Sequence, residues 1–523
     1  MIRNIFTVGG WTLISRVTGF VRDIVMAAVL GAGPVADAFF VAFRLPNHFR
    51  AIFAEGAFAA AFVPAYARRL QQGGQEEARR FADGIGAGLM LVLAAVLVLA
   101  LLFTPTVVRV LAPGLAADPM RFELAVALTR ITFPYLALMS LETLIAGTLN
   151  ANHRFASAAG APVLLNISMV STLLLAAAFP SAGHAAAWGV LAAGVLQALL
   201  VGGDAAAHGF GLRFRRPMLD APTKQFLKAL GPAIIGAGGV QLALFADTVI
   251  ATFLPTGALS ALYYADRINQ LPIGVVGIAI GIVLLPEMSR RLAAGDEAGA
   301  AAAQGRAIEL TLLIAIPFVA AAIAVPDLVM RALFARGAFT NADAAAAAAT
   351  LSAYAIGLIP FMWMRSFTAP FLARGDTATP VKAALAAALV NILLKVALMG
   401  ALAQVGLALA TSVGAWLNWA LLVWFARRAG FERPAAPLDR ALRLAAGSLL
   451  LGLGFYAGQR FFAPVLSGLS RFREETLLLI LLIAGTILYA GLILALLGRN
   501  WLRNLLRDAG TPAAGAEIVS PEI

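Results

Sequence analysis

Stretches of about twenty apolar residues recur along this chain from its first residues to about residue 497. A helix needs ~20 predominantly apolar residues to cross the hydrocarbon core of a bilayer. Hydrophobic residues make up 61% of the 523 residues and charged residues 13%, whereas soluble domains carry about 25% charged residues. The sequence therefore predicts an all-α polytopic membrane protein, with no segment between spans long enough to form a soluble domain.

Hydropathy and segment length predict fourteen transmembrane helices. They cover residues 7–30, 35–63, 82–110, 122–149, 157–179, 186–207, 227–254, 259–289, 306–325, 343–372, 380–402, 406–427, 441–463 and 475–497. Connections on one side are rich in lysine and arginine, as in 68–80 and 426–443, whereas LGAGPVAD, PSAGHAAA, LPTG and AQVG on the other side contain neither. Because basic loops remain in the cytoplasm, both termini are predicted to be cytoplasmic.

The sequence also disfavours several classes of function. There is no cysteine, so neither disulfides nor thiolate metal sites are predicted. A Walker loop, HExxH, GxSxG and a dinucleotide fingerprint are all missing from the sequence, so we expect no enzyme activity, no catalytic residue, no metal and no cofactor. The net charge of +12 fits cytoplasmic loops near anionic lipid, and no nucleic-acid partner is predicted.

An internal repeat covers most of the chain. Four pairs of landmarks share an offset of about 225 residues: Pro46 with Pro272, Pro64 with Pro286, Pro134 with Pro360, and Asn166 with Asn391. This offset predicts two pseudo-symmetric six-helix lobes, residues 1–210 and 225–430, then a two-helix extension at 440–498 and a disordered cytoplasmic tail at 508–523. Transporters built from parallel repeats hold their substrate between the repeats.

Charged residues interrupt the predicted spans, and arginine predominates among them. Spans 1 and 2 carry Arg16, Arg22, Arg44 and Arg50 with Asp37 and Glu55, a balance of four arginines against two acids; later spans carry Asp247, Asp266, Arg267 and Lys395. A cation at the centre of a membrane helix costs roughly 2.5–3.5 kcal/mol on insertion scales. An excess of such cations needs a mobile anion or water, and guanidinium forks suit phosphate oxygens. We therefore predict transport of an anionic, phosphate-bearing substrate.

A second interpretation of these charges needs no substrate. They can be structural ion pairs inside each bundle, with some arginines reaching toward the membrane interface. In that case charge-neutral replacements would keep activity as long as the protein folds.

Several segments resemble the signature of the MurJ (MviN) lipid II flippases. They are SRVTGFVRD (15–23), ADAFFVAFRLPN (36–47), FAEGAFAAAFVP (53–64), ITFPYLALMSL (131–141), APVLLNIS (161–168), YYADRINQLPIGVVGIAIGIVLLP (263–286) and GDTATPVK (375–382). This family belongs to the multidrug/oligosaccharidyl-lipid/polysaccharide exporter superfamily. The resemblance implies that lipid II, the lipid-linked peptidoglycan precursor, moves from the inner to the outer leaflet of the bacterial cytoplasmic membrane by alternating access.

The resemblance also implies roles for particular residues. The substrate-binding charges of the family match Arg16, Arg22, Asp37, Arg50, Glu55, Asp266 and Arg267, and spans 13 and 14 match a lipid-facing groove for the isoprenoid tail. The sequence departs from many relatives at Ala51, where a second arginine is common. Ligands of a sodium ion in some members match Asp247, Asn391, Lys395 and Thr411. Here Lys395 stands at an acidic position, so we predict a tethered cation in place of sodium.

Other interpretations of function remain open at this point. The chain can export another polyprenyl-linked glycan or an amphipathic small molecule, or act as a non-transporting scaffold for cell-wall synthesis proteins. Drug exporters of the superfamily generally have twelve spans, which disfavours a drug substrate. Without an ATP-binding motif, the expected energy source is the membrane potential or an ion gradient. Membrane lipids and lipid II are the expected partners.

Overall fold

A computed structural model describes residues 2–50, 57–213, 220–274, 278–432, 434, 438–469 and 472–510. Within these residues the regular structure is helical. The α-helices are α1 Ile2–Leu30, α2 Pro34–Arg50, α3 Ala57–Leu102, α4 Thr104–Leu111, α5 Pro119–Thr132, α6 Tyr135–Ala151, α7 Ala156–Leu174, α8 Ala182–Ala207, α9 Ala221–Ala251, α10 Ala258–Pro272, α11 Ile278–Ala293, α12 Glu297–Ala324, α13 Pro326–Phe334, α14 Asn341–Ala373, α15 Ala378–Arg428, α16 Leu438–Val465 and α17 Arg473–Gly510. The predicted all-α membrane fold is confirmed.

Three of these helices are too long for one membrane crossing and contain a break, which in α17 is at Gly498 (φ 82°, ψ 157°). In α3 the break is at Gly74 (φ 71°, ψ −170°), inside the charged connection 68–80. In α15 it is at Ala403 (φ 45°, ψ −126°), between the predicted spans 380–402 and 406–427. Among the described residues, nine helical segments are long and apolar enough to cross a membrane. The count of fourteen spans stays a prediction.

The chain divides into two compact units. Unit 1 comprises Met1–Tyr264 with Phe334–Ala346, and unit 2 comprises Ala265–Leu333 with Ala347–Ile523. In unit 1, an aromatic cluster joins α3 to α9, where Phe226 meets Phe58, Phe62 and Phe81 edge-on at 5.6–6.4 Å between ring centroids. The lobe boundaries predicted from the repeat are not the boundaries of these units and stay a prediction.

In unit 2 the two C-terminal helices pack on α12. Buried Ile316 of α12 contacts Leu444 of α16 and Ile493 of α17 in one apolar cluster. The Tyr489 hydroxyl donates to the Leu313 carbonyl at 2.6 Å. Polar anchoring comes from Glu309, which accepts from Arg440 Nη1 at 3.0 Å and from Trp501 Nε1 at 3.1 Å. The predicted extension is therefore fixed to the second half of the chain. The predicted tail from residue 511 onward lies outside the described residues.

The Glu309 anchor can be tested by stability measurements on purified protein. Trp501→Phe keeps an aromatic ring but removes the N–H donor, and should lower the free energy of unfolding by about 1–2 kcal/mol. Arg440→Ala should lower it by about 1–3 kcal/mol, because the buried carboxylate loses a charged partner that is itself 42% exposed and screened. Thermal unfolding in detergent measures both changes.

The matched control is Arg460→Ala on the same helix. Arg460 donates to Tyr456 four residues earlier at 2.8 Å, so its loss should change the unfolding free energy little. Equal effects of Arg440→Ala and Arg460→Ala would contradict the anchoring role of Glu309.

Candidate substrate site

Arg22 is the buried centre of a polar network in unit 1. It lies on α1 and is 7% exposed, and its neighbour Asp23 is 3% exposed. Arg22 donates to Asp23 Oδ1 from Nη2 at 2.7 Å and from Nε at 3.1 Å. Its Nη1 donates to Asn166 Oδ1 at 3.1 Å, and Tyr263 donates its hydroxyl to Asp23 Oδ1 at 3.1 Å. The network therefore joins α1, α7 and α10.

Asn166 fixes the orientation of this arginine. Its Nδ2 donates to the Ser15 carbonyl and to Thr18 Oγ1, each at 3.0 Å, on the α1 turns preceding Arg22. These donor bonds point the amide oxygen toward the guanidinium. The guanidinium thus has fixed acceptors on two sides, which holds its fork in one plane.

Asp23 changes the charge balance predicted from the sequence. The balance of four arginines against two acids in spans 1 and 2 is wrong, because Asp23 directly follows Arg22 and pairs with it at 2.7 Å. Its position inside the SRVTGFVRD segment was the signal that could have identified it. Spans 1 and 2 therefore carry three acids and four arginines. The case for an anionic substrate then rests on how each arginine is paired rather than on the number of charges.

Asp37 is the second buried charge of unit 1, and four donors point at it. Arg121 Nη2 lies 3.1 Å from Oδ2, and the pair is 7% and 0% exposed. The Gly257 amide donates to Oδ2 at 2.8 Å, and Ser260 donates both its amide (3.1 Å) and its hydroxyl (2.8 Å) to Oδ1. The carboxylate thereby binds the N-terminus of α10, where the helix dipole favours an anion. Its charged partner, Arg121, was not among the residues predicted for the site.

The remaining predicted substrate residues are placed as follows. Arg16 is exposed on α1 and Arg44 is half-buried on α2, whereas Asp266 and Arg267 are half-buried on α10 within unit 2. Arg50 ends α2, and its side chain and all of Glu55 lie outside the described residues. The structure brings Arg22 and Asp37 each into a separate buried network of unit 1, with partners that were not predicted.

The predicted ion-site residues are divided between the units. Asp247 is half-buried on α9 in unit 1, and the other three lie on α15 in unit 2. Lys395 is buried at 3% exposure, and Thr411 Oγ1 donates to the Leu407 carbonyl at 3.0 Å. The buried Asn391 Oδ1 has no hydrogen-bond donor among the described residues. The tethered-cation hypothesis stays a prediction.

Unit 2 also contains a cavity that sequence reasoning missed. Its volume is about 310 Å³, and its walls include Trp363, Phe367 and Trp419, with Glu309 and Arg374 among the polar groups. Arg374 lies over the Phe431 ring at 3.9 Å. The cavity is lined by none of the predicted substrate or ion-site residues, as far as the structure describes them. Aromatic residues scattered over two helices and the loop after α15 give no local sequence signal.

Comparison with known proteins identifies related sequences. The family described as Lipid II flippase MurJ matches residues 26–459. A probable lipid II flippase MurJ of Rhizobium meliloti is 40% identical over 493 residues, covering 92% of this chain and 91% of the relative. That of Rhizobium tropici is 39% identical with 100% of both chains covered, and the Lipid II flippase MurJ of Burkholderia cenocepacia is 34% identical over 440 residues.

Solved structures share the fold at lower identity. A lipid II flippase MurJ in an inward closed conformation has a TM-score of 0.79 at 24% identity, covering 96% of this chain and 99% of that one. An inward-facing multidrug resistance MATE transporter of the MOP superfamily has a TM-score of 0.65 at 15% identity, covering 79% and 94%.

The helical fold, with nine described segments long and apolar enough to cross a membrane, defines a multi-span membrane protein. The sequence matches are more specific, because they cover most of both chains at 34–40% identity. The chain belongs to the lipid II flippase MurJ family.

The Asp37 network makes a clear prediction for stability. Asp37→Asn should place an amide N–H₂ against donors and leave buried Arg121 without its anion, lowering the unfolding free energy by about 3–5 kcal/mol. Thermal unfolding of the purified protein tests this. The control is Asp327→Asn, which breaks a pair with Arg331 (2.6 Å) in which the carboxylate is 45% exposed and the arginine 29% exposed, and it should change stability by less than about 1 kcal/mol. Similar losses for both variants would contradict the role given to burial.

Proposed function

We propose that this chain moves lipid II from the inner to the outer leaflet of the bacterial inner membrane. Membership of the flippase family supports the substrate. The single structural observation that carries the proposal is Arg22, a guanidinium 7% exposed and oriented by Asp23 and Asn166. A planar fork of this kind suits the pyrophosphate of a lipid-linked precursor.

The proposed mechanism is alternating access with exchange of partners at Arg22. In the described conformation Asp23 neutralises Arg22 at 2.7 Å. An arriving pyrophosphate would compete with Asp23 for the guanidinium, and Tyr263 and Asn166 would keep the displaced groups hydrogen-bonded. Arg16 and Arg50 would contribute further positive charge and Glu55 would help to balance it, whereas Asp37 is already paired with Arg121 in its own network. The isoprenoid tail would stay in lipid along α16 and α17.

Topology and energy follow from the same proposal. Fourteen spans with both termini in the cytoplasm would place the charged connections 68–80 and 426–443 inside. The membrane potential or an ion gradient would drive the cycle, since moving one charge through 100 mV is worth about 2.3 kcal/mol. Transport would proceed without covalent chemistry on the substrate.

The first test is the leaflet distribution of lipid II in cells depleted of this protein. We expect lipid II to accumulate in the inner leaflet and to return to the outer leaflet when the protein is expressed again. Protection of lipid II from an externally added, membrane-impermeant enzyme that cleaves its head group measures the distribution. An unchanged distribution on depletion would overturn the proposal and favour a scaffold role.

The second test addresses the arginines. Arg22→Ala should abolish complementation of a flippase-depleted strain while the protein still accumulates in the membrane. Arg22→Lys should rescue poorly, because a point charge cannot reach Asp23 and Asn166 as a planar fork does. Arg16→Ala and Arg50→Ala should also lose complementation, since both add charge for the pyrophosphate.

The control for that series is Arg80→Ala. Arg80 is an exposed arginine paired with Glu76 at 3.3 Å, with its side chain 60% exposed, so we expect full complementation. Full activity of Arg22→Ala at normal protein levels would remove Arg22 from the substrate site.

A further inference from the structure

Two short loops of unit 1 each donate a hydrogen bond to the end of a helix from the other half of the sequence. The first loop follows α4, and the Gly114 amide donates to Thr252 Oγ1 at 3.1 Å, just beyond α9. The second loop follows α13, and the Ala338 amide donates to the Ala28 carbonyl at 2.7 Å, in the last turn of α1. We call these two loops, residues 112–118 and 335–340, the first and second straps.

A glycine makes the close approach possible in each strap. A Cβ on Gly114 would lie 2.3 Å from the Thr252 carbonyl carbon, and a Cβ on Gly337 would lie 2.2 Å from the Ala28 carbonyl oxygen. Real Cβ atoms do not approach backbone so closely. Gly337 also has a φ of +59°, which strains any side chain. Neither strap can therefore close in its present position once a methyl group is added.

The straps correspond to each other in the internal repeat. Gly114 and Gly337 lie 223 residues apart, and the helix ends at Leu30 and Ala251 lie 221 residues apart. Both offsets agree with the one that relates the two predicted lobes. The contacts are thus reciprocal: a loop of the first repeat holds α9, and the equivalent loop of the second repeat holds α1.

The second strap also covers an aromatic cluster. Phe334 and Phe339, both buried, pack against Tyr264 at 5.2 and 5.1 Å between ring centroids. Phe334 meets Phe20 of α1 edge-on at 6.3 Å. Release of this strap would uncover apolar rings next to α1, the helix that carries Arg22. The strap therefore shields the side of unit 1 on which the site residue lies.

We propose that Gly114 and Gly337 form a paired steric gate on the external face, closed in the described conformation. The external placement rests on the proposed flippase topology. Both straps must leave their helix ends before that face can open, and the two glycines allow them to return. Loss of either glycine shifts the protein toward the released state.

The absence of cysteine from the sequence allows a direct test with a single reporter thiol. Ala335→Cys is introduced in the second strap, where Ala335 is half-buried, and the maleimide labelling rate of purified protein is measured. Adding Gly337→Ala should raise the rate about tenfold, the factor that about 1.4 kcal/mol of lost closed-state stability gives. Gly114→Ala should raise it as well if the straps release together.

Two controls separate gate opening from general damage. Gly33→Ala, at a glycine with open space around it, should leave the rate unchanged. A reporter at exposed Asn341 should label at the same rate in all backgrounds. Thr252→Val provides a gentler variant that removes the acceptor of the Gly114 amide without adding volume, and should raise the rate at position 335 to a smaller extent.

The outcomes distinguish this gate from the proposed function, because labelling needs no lipid II. Unchanged labelling at position 335 in both Gly337→Ala and Thr252→Val would overturn the gate. Equal acceleration at positions 335 and 341 would also overturn it, since that indicates unfolding. If the labelling rates change as expected but the protein has no flippase activity, only the proposed substrate is refuted.

Discussion

The fold of unit 1 depends on satisfying buried carboxylates in a medium where water is scarce. Asp37 is 0% exposed, and an isolated charge at such a position would be strongly destabilising. Four donors from α5, the α10 N-terminus and the turn before it surround the carboxylate. One side chain therefore ties α2 to all of those elements. The Arg22–Asp23 pair plays the equivalent part for α1, α7 and α10.

Helical membrane character was predictable because hydropathy and span length act locally along the chain. The charged positions were also visible, since each is an interruption in an apolar run. Partner choice was not predictable: Arg121 lies 84 residues from Asp37, and Asn166 lies 144 residues from Arg22. Such pairs follow from how helices pack, which no local pattern encodes. The pairing of Asp23 with Arg22 is different, because the two residues are adjacent in the sequence and their pairing was predictable from it.

The C-terminal helices illustrate what a repeat can and cannot predict. Their position outside the repeat marked them as an addition to the two lobes. Their attachment through Glu309, Arg440 and Trp501 depends on residues from three helices, so only the structure identifies it. The paired straps are the converse case. The repeat offset was known from prolines and asparagines, but Gly114 and Gly337 became meaningful only when their neighbours were seen.

The Asp23 carboxylate has a consequence for the selectivity of the empty carrier. It lies on the same helix as Arg22, 2.7 Å from the guanidinium. Unlike that of a free ion, its effective concentration at the arginine does not fall with dilution. If Arg22 binds the substrate pyrophosphate as proposed, orthophosphate and other small cytosolic anions would have to compete with this intramolecular carboxylate, without the membrane-embedded tail that concentrates a lipid-linked substrate beside the protein. The Asp23 carboxylate would then disfavour anions that arrive without a lipid anchor.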